Sequence, residues 1–123
     1  MKNVLRIVVL LFVAITLTGC SNAETADLRN FEIEIYDKAG KLVFEKKVET
    51  EKTKLLDAMK EIKELKVETE KTQFGDMINS LFGHKAEGNY YWNYYINGEY
   101  ASVGAADYNI KNNDKIKFQL EKF

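Results

Sequence analysis

Proline is absent from the 123 residues, and cysteine and histidine occur once each. A lone cysteine excludes an internal disulfide framework and any cysteine-rich zinc or iron–sulfur site. With a single histidine beside it, the usual residue types cannot assemble a nucleophile–base pair or a metal cluster, so an enzyme is not expected. Neither sign of charge dominates: 18 Lys and Arg face 19 Asp and Glu, for a formal net charge of -1. No basic excess is left to neutralise phosphates, which excludes a nucleic-acid binder. The 46% hydrophobic content excludes a disordered chain, because enough apolar surface is available to offset the entropy of ordering. The length suits one small domain with a targeting segment.

Long apolar runs are confined to the start. Lys2 and Arg6 precede residues 7–17 (IVVLLFVAITL), which lead into Leu17-Thr18-Gly19-Cys20. A basic start, a short apolar stretch and small residues before a cut describe a secretory signal. The run is about half of the roughly 20 residues that a bilayer-spanning helix needs. The ending resembles the bacterial lipobox, and by that resemblance Cys20 takes a diacylglycerol on its sulfur and becomes the mature N-terminus. The expected organisation is a signal peptide over 1–19, a polar flexible tether over 20–30 and a folded domain over 31–123. The expected location is the extracytoplasmic face of the cell membrane, held by the lipid anchor.

Within the domain, Phe31, Ile33 and Ile35 alternate with Glu32, Glu34 and Tyr36, the period of a half-buried strand. Asp37 to Gly40 supplies a turn, and Leu42, Phe44 and Val48 share one face of a second strand, so 31–49 reads as a hairpin. From Thr53 the period changes. Leu55, Ala58, Met59, Ile62 and Leu65 predict an amphipathic helix of about 13 residues, with Thr53 as N-cap and Asp57 in the first turn. Residues 67–72 suit an edge strand. Met77, Ile78, Leu81 and Phe82, bracketed by Gly75 and Gly83, suit either an irregular apolar segment or a short helical turn. A strand over 90–96, the Asn97-Gly98 hairpin turn, a return strand over 99–103 and a last strand over 115–120 complete the order. The Lys and Glu residues of 45–71 read as a solvated face. Hairpin, helix, then strands is an α+β order: a β-grasp-like mixed sheet with one helix packed across one face.

Tyr90, Tyr91, Trp92, Tyr94, Tyr95 and Tyr100 crowd one strand and its return. Strand geometry sends Tyr90, Trp92, Tyr94 and Ile96 one way and Tyr91, Asn93 and Tyr95 the other. One set belongs to the core; the other meets solvent, a neighbouring strand or a partner, and the sequence leaves open which is which. His84 reads as an exposed loop residue, and Asp107 as capping its own loop.

Tyr91-Trp92, Asn97-Gly98 and Gly104-Ala105-Ala106-Asp107-Tyr108 resemble the C-terminal domain of the transcobalamin and intrinsic factor family, including bacterial lipoproteins with such a domain. Asn113-Asp114 stands where that family usually has Gly-Asp. The resemblance implies a domain that covers one face of cobalamin or a related corrinoid. The implied ligand contacts are Ala101, Ser102, Val103 and Gly104, with Trp92 and Tyr94 beside them, or Tyr91 and Tyr95 if the strand faces the other way. It implies no catalytic or metal-ligating residue and no required cofactor, and it does not extend to His84. The partners that go with this reading are the membrane lipid, the corrinoid and a vitamin transporter. The alternative is a cell-surface protein-interaction module without a small-molecule ligand.

Overall fold

The computed structural model describes residues 28–123; the predicted signal segment, Cys20 and residues 21–27 of the predicted tether lie outside the described residues. Strand β1 (Arg29–Tyr36) buries Phe31, Ile33 and Ile35. It starts inside the stretch expected to be tether, because Arg29 and Asn30 pair with Thr50 and Glu49 of β2 (Leu42–Thr50). The turn between them is closed by Asp37 Oδ1, which accepts the N–H groups of Ala39 and Lys41 at 2.9 Å each.

Helix α1 (Leu55–Glu61) buries Leu55, Leu56, Ala58 and Met59 and is shorter than the periodicity predicts. Ile62 is extended, residues Lys63–Leu65 form a 3-10 turn, and Lys66 closes it in the left-handed region. Ile62 and Leu65 still reach the core. The Leu65 carbonyl accepts the Phe82 N–H, so tertiary pairing takes over where the helical ladder stops. Thr53 is not the N-cap. Lys54 stands there without a side-chain cap. The first helical amides are satisfied from elsewhere: Leu55 N–H donates to the Tyr108 carbonyl and Leu56 N–H to the Ala105 carbonyl, both at 3.0 Å. The Thr53 carbonyl accepts the Ile110 N–H instead.

A three-stranded antiparallel sheet follows, β3 (Glu68–Thr72), β4 (Gly75–Leu81) and β5 (His84–Lys85), with β4 in the middle. Residues 77–81 are therefore strand, neither irregular nor helical: Ile78 packs on the core while Met77 points to water. His84 is half-buried within β5, where an exposed loop was expected.

The larger sheet is completed by β6 (Tyr90–Ile96), β7 (Glu99–Tyr100) and β8 (Asp114–Lys122), in the order β2-β1-β8-β6-β7. β1 and β8 run parallel at the centre, and the other pairs are antiparallel. β7 is only two residues, where a return strand to 103 was expected. The core lies between one face of this sheet and α1, with Phe118, Ile33, Ile35, Leu55 and Met59 fully enclosed. This is the β-grasp arrangement of a mixed sheet with one helix across one face. Among the described residues no helix is long and apolar enough to cross a membrane.

Candidate functional site: the aromatic strand and its loop

Pairing with β8 fixes which aromatics of β6 face the core. Tyr94 lies opposite Phe118, and the two rings stack with centroids 5.0 Å apart. Tyr94 is 7% exposed. Burial, followed by the nearby Asp107 charge, pushes its phenol up to about 12, so it stays a neutral donor at any ordinary pH. Its hydroxyl donates to the Val103 carbonyl. Tyr94 is thus a core residue whose tip holds the loop, and its ring presents no face to a ligand. Trp92 points the same way but is half-buried, and its indole N–H donates to the His84 carbonyl at 3.0 Å. It ties β6 to the smaller sheet.

Tyr91, Asn93 and Tyr95 stand on the opposite, helix-free face. Tyr95 donates to Glu121 Oε1 at 2.6 Å. That bond, then burial and the Glu121 charge, raise its phenol to about 12. Tyr95 meets Tyr100 edge-on with centroids 5.9 Å apart, and the Lys117 ammonium sits over Tyr36 at 4.7 Å and Tyr95 at 5.7 Å. Tyr91 packs on Phe123. The sequence-predicted residues therefore divide between two faces, and no single ring-shaped ligand reaches all of them.

The loop after β7 is built from the main chain. Ala101 is buried and its N–H donates to the Tyr94 carbonyl at 3.0 Å, whereas Ser102, Val103 and Gly104 are exposed. Val103 stands 46% in water with its carbonyl held from below. Asp107 and Tyr108 both donate their N–H groups to the Gly104 carbonyl, so the turn closes without the Asp107 side chain. The residue that organises this region is Asp114, which sequence reasoning treated only as part of a turn. It is 3% exposed. It accepts from Asn97 Nδ2 at 3.0 Å, from the Lys111 N–H at 2.9 Å and from the Tyr108 hydroxyl at 2.5 Å. Burial and this carboxylate raise the Tyr108 phenol far above its ordinary range. Its signal in the sequence was the Asn-Asp beside a Gly-x-x-Asp-Tyr segment, but the partners at 97, 108 and 111 converge only in the fold.

Two grooves of about 550 and about 410 Å³ lie away from this loop, across β2, β1 and β8 on the helix-free face. Lys and Glu side chains share their walls with Phe31, Val48, Ile33 and Ile116, and none of the residues expected to touch a ligand lines them. Among the described residues no group of three or more His, Cys, Asp or Glu could hold a metal ion.

Sheet order and single helix give a transcobalamin C-terminal-like fold. Residues 52–122, more than half of the chain, match the family described as "Domain of unknown function (DUF4430)", and the protein belongs to that family. The fold is shared with haptocorrin, solved in complex with Cbi, at a TM-score of 0.68 and 17% identity. That match covers 79% of this chain and 26% of haptocorrin, so this chain corresponds to about a quarter of that protein. A "putative metal binding protein" from Ruminococcus gnavus ATCC 29149 matches at a TM-score of 0.70 and 13% identity, over 77% of this chain and 98% of its own. No curated protein matches the sequence.

Proposed function

We propose that this protein is a lipid-anchored, extracytoplasmic ligand-binding protein without catalytic activity, and that its ligand is a corrinoid. The observation that carries the reading is the loop 101–104. An exposed Val103 and two further exposed residues are held on a rigid support by the buried Tyr94 hydroxyl. A pinned apolar edge with nearby main-chain amides suits a broad, flat ring with amide fringes, because little ordering entropy is lost on contact. Trp92 and residues 102–104 are the contacts, Tyr94 and Ala101 their support. Haptocorrin's complex with Cbi on the same fold supports the choice of ligand.

Titration with cobalamin and cobinamide, followed by Trp92 fluorescence and calorimetry, tests this. Binding at micromolar levels is expected, near -8 kcal/mol. Val103→Asp is expected to weaken it at least tenfold with an unchanged melting curve, since a carboxylate must then be desolvated against the ring. No heat at high micromolar ligand refutes the corrinoid. For the anchor, a fatty-acid probe is expected to label the wild type and not Cys20→Ala; an unlabelled wild type removes the lipoprotein reading.

The second reading, a protein-interaction surface, is favoured by the opposite face. There Tyr100 is 62% exposed beside Tyr95 and Tyr91, and such tyrosines are common at interfaces. Tyr100→Ala leaves corrinoid binding intact under the first reading and abolishes partner capture under the second.

A further inference from the structure

β2 is the outermost strand of the larger sheet and pairs with β1 alone. It is nine residues long, whereas the strand at the other edge, β7, has two. A long free edge presents a row of unpaired N–H and C=O groups, a template for another strand. The register with β1 shifts between Ile35 and Tyr36, and is regular from Phe44 to Glu49. In that regular part, Phe44, Lys46 and Val48 oppose Ile35, Ile33 and Phe31 on the core side. Glu45 and Lys47 oppose Glu34 and Glu32 on the helix-free side.

We propose that this edge pairs antiparallel with β2 of a second copy of the chain, about a two-fold axis at Lys46, so that one continuous sheet runs through both copies. Symmetry and pleat together restrict the register. Opposed side chains must share a face, so a two-fold axis normal to the sheet passes through a residue rather than between two. With Lys46 on the axis, Glu45 opposes Lys47 twice and Phe44 opposes Val48 twice. Moving the axis to Glu45 sets Glu45 against itself and Phe44 against Lys46. Moving it to Lys47 sets Glu45 against Glu49 twice. An axis at Val48 also opposes Lys47 to Glu49 twice but pairs only residues 46–50. The axis at Lys46 pairs all nine residues of β2, so complementarity and ladder length together select Lys46. The two Lys46 ammoniums are the unfavourable element, and each is drawn toward its own Glu64 at 3.3 Å. On the core side, Phe44 packs on its own Phe82 with ring centroids 5.4 Å apart. A groove of about 340 Å³ between β2 and α1, where Val48, Ala58 and Ile62 are surrounded by Lys and Glu side chains, lies beside this edge.

Sedimentation equilibrium of the full chain in density-matched detergent tests this. The expected result is a reversible dimer. Glu45→Lys and Lys47→Glu each create two like-charge pairs and are expected to weaken it at least tenfold, about 1.4 kcal/mol. The double variant Glu45→Lys/Lys47→Glu restores both attractions and is expected to return to within about threefold of wild type. Both residues are exposed, and thermal melts check that each variant is folded. A monomeric wild type, a dimer indifferent to the single swaps, or a double variant no better than either single overturns the proposal.

Discussion

Asp114 is a carboxylate almost sealed from water, and it remains there because three donors meet it. The Asn97 amide comes from the hairpin turn, the Lys111 N–H from the loop before β8, and the Tyr108 hydroxyl from the segment that caps α1. Removing the acceptor strands all three donors at once. Asp114→Ala is expected to cost about 3 kcal/mol, since hydrogen bonds to a charged group are the strong ones and orphaned buried donors lose their hydration as well. Asp107→Ala, seven residues earlier and exposed, is expected to change stability by less than about 0.5 kcal/mol. Urea denaturation of the two variants side by side checks the contrast. A sequence reader sees two aspartates in loops and has reason to favour the one inside the Gly104 to Tyr108 motif. Only the convergence of residues 97, 108 and 111 shows that the other bears the load. The same holds for Tyr94 and Tyr95, which alternation separates but whose roles depend on which meets Phe118.

At the scale of elements, the period-2 strands were legible because each buries one face only: Phe31, Ile33 and Ile35 in β1, Ile116, Phe118 and Leu120 in β8. The Asn97-Gly98 turn was legible too, since both residues take the positive φ that a two-residue hairpin demands, 52° and 86°. Gly98→Val tests it cleanly. A Cβ there meets nothing within 4 Å, so the penalty is backbone strain alone, about 1–3 kcal/mol. At roughly 4–8 °C per kcal/mol for a domain of this size, a calorimetric scan should show a drop of several degrees. Helix α1 was legible in its existence and not in its length. Ile62 and Leu65 keep helical spacing, yet the Leu65 carbonyl is claimed by Phe82, a partner that no local pattern reveals. β4 failed for a related reason. Ile78, Leu81 and Phe82 sit at three- and four-residue spacing, but Phe82 owes its place to a left-handed φ of 52° at the corner into β5.

For the whole molecule, the decisive fact is that the two ends of the domain meet in its middle. β1 and β8 pair in parallel, from Phe31 with Asp114 to Tyr36 with Gln119, and each also has a second neighbour, β2 or β6. Residues 31–36 of β1 and 116–119 of β8 therefore have a ladder on each side, and their core sides are sealed by Ile33, Ile35, Ile116 and Phe118. Breaking that pairing exposes the core itself, so the amides of these four residues should exchange with solvent only through global unfolding. The β3–β4 hairpin is built differently. β3 is an edge with mostly exposed side chains, and Phe74 at the tip stands 80% in water. Opening the hairpin at its tip costs little buried apolar surface, so amides 70–77 should exchange through local opening, orders of magnitude faster. Amide exchange followed by NMR across a denaturant series separates the two cases. The central amides should track the global stability measured by urea, while those of the hairpin tip should be indifferent to low denaturant. Equal protection in both places would mean that the smaller sheet is welded into the core, against the packing described.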